Sequence, residues 1–292
     1  MEDLERIKER LDNIRSVEPI LTALRTIAAG TWHAARTRLS AVRLFAEELS
    51  SVFRALQEHL AQEELEPPQS SEQVRRVGML VIASERGLCG AFNTTVLEAA
   101  ERYLAGQREL GRAVEVMTLG ARATIHFERR GITPIWSESL PMTSVPSLAF
   151  VQHVQRRLSA AYRAGRYDLV YVIYTPYRVR AALRPQMAQL LPAKLEVPPE
   201  ETVSWPPPLI DTDPLLLYRH VLEQWTIVEL YRFAVESAAS EQSARFQMLD
   251  GASNNSQRLI EELTLSYHAA RQHAITMEML DLVSGAGLLS RK

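Results

Sequence analysis

The two ends of this chain limit its possible folds more than anything between them. Residues 1–60 contain a single glycine, Gly30, and a single proline, Pro19. From Leu215 to about Val283 there is no proline, and Gly251 is the only glycine. Apolar residues near the start fall at Leu4, Ile7, Leu11, Ile14, Val17, Leu21 and Leu24, in steps of three or four that approximate a heptad seam. Ala28, Ala35, Val42, Phe45, Leu49, Val52 and Leu56 continue a looser stripe. At the other end Val221, Trp225, Val228, Leu249, Ala252, Leu259, Leu263, Ala270, Ala274 and Met277 recur in the same way. The pattern predicts helices of about 55 and about 70 residues, or about 80 and 105 Å at 1.5 Å per residue. Helices of that length need partners. They pair with each other in antiparallel fashion, or they form two separate bundles; periodicity leaves both open. Pro19 removes a backbone donor inside the first helix, so a bend or local break is expected there.

Between the ends the period changes. VGMLVIAS (77–84), AVEVMTLG (113–120), ITPIW (132–136) and YDLVYVIYTP (167–176) read as strands. Helical stretches alternate with them, the clearest being 147–165. This alternation predicts a mostly parallel sheet covered on both faces, with 178–192 as an extended edge segment. Proline-rich linkers at 66–74 and 192–214 flank it. The expected divisions are an N-terminal helix at 1–65, an α/β domain with its linkers at 66–214 and a C-terminal helix at 215–292.

A net charge of −2 gives no whole-chain footprint for nucleic acid. The lone cysteine, Cys89, excludes a disulfide within the chain and any multi-cysteine metal site. No run of about 18 uncharged apolar residues occurs, so no membrane span is expected. The turn holding Gly87, Cys89 and Gly90 follows a strand, where α/β proteins often bind ligands. It lacks the lysine and spacing of a phosphate-cradling loop, so it reads as turn geometry around a small buried thiol. The seven histidines have no ligand spacing, and no nucleophile–base pair is visible. We expect no catalytic residues, cofactor or metal.

Three ordered segments carry a resemblance. IASERGLCGAFNTTV (82–96) resembles the glycine–cysteine–glycine signature of the F-type ATP synthase gamma subunit family. ESAASEQSARFQML (236–249) and the stretch from ASNN to VSGA (252–286) resemble that family's C-terminal region. The resemblance implies an α+β chain: a long antiparallel coiled coil of the terminal helices with a central Rossmann-like α/β domain. It implies a central rotor shaft without a catalytic site of its own, coupling ion flow through a membrane ring to ATP synthesis. The implied partners are the alpha and beta subunits of the catalytic head, the epsilon subunit and the membrane c-ring. The implied location is peripheral, on the cytoplasmic face of the cell membrane. One segment departs from the pattern: ILTALRTIAAGTW (20–32) has Thr22 and Thr31 at the family's lysine positions, and Leu24 and Thr26 at its methionine positions. That departure motivates an alternative, a non-enzymatic coiled-coil scaffold or paralogue without the torque role.

The resemblance also directs attention to contact residues. Arg25, Arg36 and Arg38 belong to a run between Ile20 and Phe45 that contains no acid. This basic collar suits acidic loops of surrounding subunits, although such runs are also found as plain solvated faces. Arg271, Gln272, Thr276 and Glu278 match family positions that resemble a catch on the catalytic subunits. Gln272 and Thr276 share a helix face.

Overall fold

The computed structural model describes residues 2–57, 74–179, 182–193 and 210–289. Both terminal helices form: α1 spans Glu2–Gln57 and α5 spans Pro214–Leu289. Most of both expected linkers, and residues 58–65 of the expected N-terminal helix, lie outside the described residues. Contacts divide the chain into two compact units, Met1–Ile27 with Phe246–Lys292, and Ala28–Arg245.

In the first unit α1 and α5 run antiparallel. Arg25 Nη1 lies 2.9 Å from Asp250, Thr22 Oγ1 3.4 Å from Ser253, and Arg15 Nη2 3.5 Å from Thr264. Residue numbers rise on one helix as they fall on the other. Leu11 and Leu249 are buried along this seam, with Leu4, Ile7, Ile14, Leu21 and Leu24 half-buried beside them. Val17, expected in the seam, is exposed. Helix α1 runs without interruption through Pro19, where a bend or break was expected. Pro19 is exposed, so the carbonyl that loses its partner can bond to water.

The second unit is built on a five-stranded sheet ordered β3-β2-β1-β4-β5. Its strands are β1 (Arg76–Ile82), β2 (Ala113–Leu119), β3 (Trp136–Glu138), β4 (Leu169–Tyr174) and β5 (Gln186–Leu191). The first four are parallel, and β5 joins β4 antiparallel as an edge. The third strand begins at the last residue of its expected span. Pro134 has no N–H for a ladder, and only Ile135 bonds back to β2, through Val116.

Strand period 2 sorts the side chains. Leu80, Ile82, Met117, Leu119, Val170, Val172 and Tyr174 face one side, under α4 (Leu148–Arg163) and the α5 residues Leu230, Phe233 and Ala234. Met79, Val81, Val116 and Ile173 face the other, under α2 (Phe92–Glu109) and α3 (Ala121–Glu128). Within this unit α1 also packs along α5. Ala35 and Leu39 meet Val235 and Ala239, and Phe53 stacks on Tyr218 at 5.7 Å. The looser stripe is corrected here: Phe45 and Val52 are exposed and Phe53 is buried. The 3.6-residue turn carries residue 53 to the α5 side.

Gly120, between β2 and α3, has φ +91°, and a Cβ there would meet the Ala83 carbonyl oxygen at 2.3 Å. Both backbone strain and a backbone clash oppose a side chain. Gly120→Ala is expected to cost ~2–4 kcal/mol, read as a lower urea midpoint by circular dichroism. Unchanged stability would contradict this close approach.

Candidate functional site

In a parallel sheet of this order, ligands bind beyond the carboxyl ends of the strands, where the order reverses. That place is filled by the chain itself. Ser84, Asn93 and Cys89 form one network after β1: the Ser84 N–H donates to Asn93 Oδ1 at 3.0 Å, and Asn93 Nδ2 to Cys89 Sγ at 3.1 Å. Glu85 Oε2 accepts the N–H groups of Ala121 and Leu140, each at 3.1 Å. A carboxylate of the chain therefore caps the start of α3. Helix α5 closes the other side. Arg245 donates to the carbonyls of Arg86 and Gly87 at 3.2 and 3.3 Å while pairing with Glu241 at 2.6 Å. Ser237 Oγ accepts the Thr175 N–H at 3.1 Å.

The electrostatics are structural in character. Burial raises the Cys89 thiol above its ordinary range, with the Ser84 hydrogen bond opposing. Burial also pushes the Glu241 carboxyl up, with Arg245 opposing. In the segment after β1 the left-handed backbone falls at Leu88, φ +62°, and Gly90, φ +55°, with the buried Cys89 between them; Gly87 is not left-handed. Sequence reasoning missed Glu85, Asn93, Glu241 and Arg245. Only the last two left a signal, an acid and an arginine four apart on a helix.

The collar residues differ in their surroundings. Arg25, in the first unit, is tied to Asp250. In the second unit Arg36 lies over the Trp32 ring at 5.9 Å, and Arg38 Nη1 lies 3.4 Å from the Pro146 carbonyl. Arg43 reaches Glu236 at 3.8 Å. Among the described residues, only Arg36 of these four has a side chain that forms neither an ion pair nor a hydrogen bond.

The four catch residues are all exposed on α5. Thr276 Oγ1 donates to the Gln272 carbonyl, so its hydroxyl is used within the helix. Around them Ile275, Met277, Met279, Leu280, Leu282 and Val283 are exposed as well. The register that sets Arg15 beside Thr264 exhausts α1 near residue 277 of α5, leaving an overhang of about 18 Å at 1.5 Å per residue. At 100° per residue those six apolar side chains sweep an arc of about 220°. Arg271, Glu278 and Asp281 share a strip of about 80° on the opposite side. A single partner helix needs an apolar stripe of about 100°. Gln272 and Thr276, also exposed, fall within that arc, so the four catch residues do not share one face.

A sequence model of the family described as ATP synthase matches residues 3–289. The ATP synthase gamma chain of Synechococcus sp. (strain JA-3-3Ab) is 32% identical over 315 residues, covering 99% of this chain and all of the relative. The gamma chain of Chloroflexus aurantiacus is 31% identical over 286 residues, covering 97% and 98%. Among solved structures, a chain of the Euglena gracilis mitochondrial ATP synthase aligns with a TM-score of 0.66 at 15% identity, covering 99% of this chain and 95% of that one. A chain of the Tetrahymena thermophila central stalk and c-ring structure gives 0.61 at 20% identity, covering 80% and 99%. At those identities the structural likeness concerns the fold alone.

A buried thiol with a raised pKa is a poor nucleophile. At pH 8, folded Cys89 is expected to react with a disulfide reagent at least roughly tenfold more slowly than in urea. Equal rates would place the thiol at the surface.

Proposed function

Because this chain belongs to the ATP synthase gamma chain family, we propose that the exposed end of α5 turns inside a sleeve formed by the alpha and beta subunits of the catalytic head. The chain is the non-catalytic central-stalk subunit, part of a rotor with the c-ring beneath the head. No described helix is long and apolar enough to cross a membrane. The complex is membrane-associated, and the proposed place of this subunit is its cytoplasmic face, with the epsilon subunit as a further neighbour. The functional division proposed is 1–65 and 215–292 as shaft and 66–214 as the domain that meets the ring.

One observation supports the sleeve reading: from Arg271 to Val283, partly beside α1 and partly beyond it, α5 exposes apolar side chains over a wide arc and charged ones on a narrow strip. An apolar wall can bear on the arc at every angle without fixing it. The strip, with Arg271 and Glu278, gives each surrounding subunit a different contact as the helix turns. Coupling requires such a difference, since a ligand or partner shifts an equilibrium only by its differential interaction with the two states. Arg271 can make a bidentate bond with a carboxylate, and Gln272 can donate and accept. Arg36 and Arg38 supply exposed positive charge of the kind an acidic loop would meet.

Replacing Arg271 and Gln272 with alanine is expected to lower ATP synthesis in membrane vesicles by roughly 2- to 10-fold, the loss for one or two charge-assisted contacts. Assembly, read by co-purification with the head, should be kept. Normal synthesis would remove the catch from the mechanism. The wild-type chain should co-purify with the head from native membranes, and alone it should not hydrolyse ATP. Its absence from that complex would favour the scaffold reading that Thr22 and Thr31 motivate.

Arg36→Glu changes the charge by two units and is expected to reduce synthesis more at low than at high salt, because screening shortens to roughly 3 Å at 1 M. A salt-independent effect would assign this arginine a packing role.

A further inference from the structure

We propose that the loop between β3 and α4, residues 140–146, is a strap that fixes both terminal helices to the α/β domain, with Thr31, Arg38 and Gln242 as its positioning residues. The proposal rests on the rotor reading and adds to it a route for torque between helices and domain.

The loop's backbone shows why it needs those residues. It lies outside every strand and helix, so its carbonyls have no ladder partners. Three of them are met by side chains from the two long helices. Thr31 of α1 donates to the Thr143 carbonyl at 3.0 Å, Arg38 of α1 to Pro146 at 3.4 Å, and Gln242 of α5 to Met142 at 3.4 Å. The Val145 side chain sits between the helices, packed with Ala35, Leu39, Val235 and Ala239. One short loop is thus held by both helices at once.

Thr31 is the clearest sign. Thr26, Thr37, Thr226, Thr264 and Thr276 all donate to the carbonyl four residues earlier on their own helix. Thr31, only 6% exposed, instead reaches across to the loop. The loop is equally fixed at its domain side. The Leu140 N–H is held by Glu85, and Ser147 caps α4 by accepting the Phe150 N–H at 3.2 Å. Force applied to either helix therefore passes through the strap to β1, by way of Glu85, and to α4. For α1 this contact matters most. α5 already covers the sheet through Leu230 and Phe233, whereas among the described residues α1 contributes none to either sheet-face core.

The test uses the assembled complex in membrane vesicles, comparing ATP hydrolysis with ATP-driven ion pumping. Thr31→Val with Gln242→Leu keeps side-chain volume and removes two donors. The expected result is hydrolysis near wild type with the pumping-to-hydrolysis ratio roughly halved, as coupling elements respond without contacting either site. Thr31→Ser, which keeps the hydroxyl, should restore most of the ratio. Gln242→Ala alone, the milder change, covers failure of the double variant to assemble and should show a smaller loss of the same kind. Amide exchange should rise over residues 140–147 while the thermal midpoint of the complex stays constant. An unchanged ratio in assembled variants would overturn the strap. Failure of the wild-type chain itself to support pumping would instead overturn the rotor reading.

Discussion

The structure depends on one stretch of α5 packing in two directions. Between Thr226 and Gln242 nearly every residue is buried or half-buried. Leu230, Phe233 and Ala234 cover the sheet, and Phe233 lies 4.3 Å from the Tyr174 ring. Val235 and Ala239 face α1. Burying a large apolar side chain stabilises by about 1.5–3 kcal/mol, so this stretch anchors sheet and coil together. Its small residues, Ala234, Ser237, Ala239 and Ser240, are the reason it can. Larger side chains would hold α5 off either surface.

The same helix decides what the α/β domain cannot be. A sheet of this order usually leaves a crevice beyond β1 for a ligand. Here Arg245 bonds to the carbonyls of the β1 turn, and Glu85 occupies the start of α3. Buried ion pairs such as Glu241–Arg245 and Glu236–Arg232 contribute little net stability, because desolvation offsets the attraction. They do penalise misalignment strongly, since a slipped helix would leave charges unpaired in the interior. The crevice therefore fixes the register of the long helix.

Much of this was legible in the sequence. The heptad steps from Leu4 to Leu24 pointed to the first helix, and the proline-free stretch from Leu215 to Val283 to the second. The apolar runs at 77–84 and 167–176 gave the central strands. Pro19 does not break α1; at an exposed position the carbonyl left without a donor can turn to water. Phe45 and Phe53 exchanged roles because a stripe with loose spacing does not fix the phase of a helix. The partner of Arg25 was hidden, since Asp250 lies 225 positions away. The strap was hidden for another reason: a bond from a side chain to a loop carbonyl leaves no mark on the identity of the accepting residue. Thr31 could be recognised only as a departure from the family's lysine, and the structure shows what that hydroxyl does.

The overhang of α5 follows from different energetics. An isolated helix of about 12 residues is marginal in water. This one continues a paired helix, so it bears no nucleation cost and each turn adds its own hydrogen bonds. Its exposed Leu282 and Val283 contribute nothing to that stability, and exposed apolar patches on soluble chains are rarely large. A sequence under no constraint but solubility would place lysine or glutamate there. The exposed apolar side chains of the overhang, Met279, Leu280, Leu282 and Val283, sweep about 160° at 100° per residue, wider than the stripe of about 100° that one packed neighbour needs.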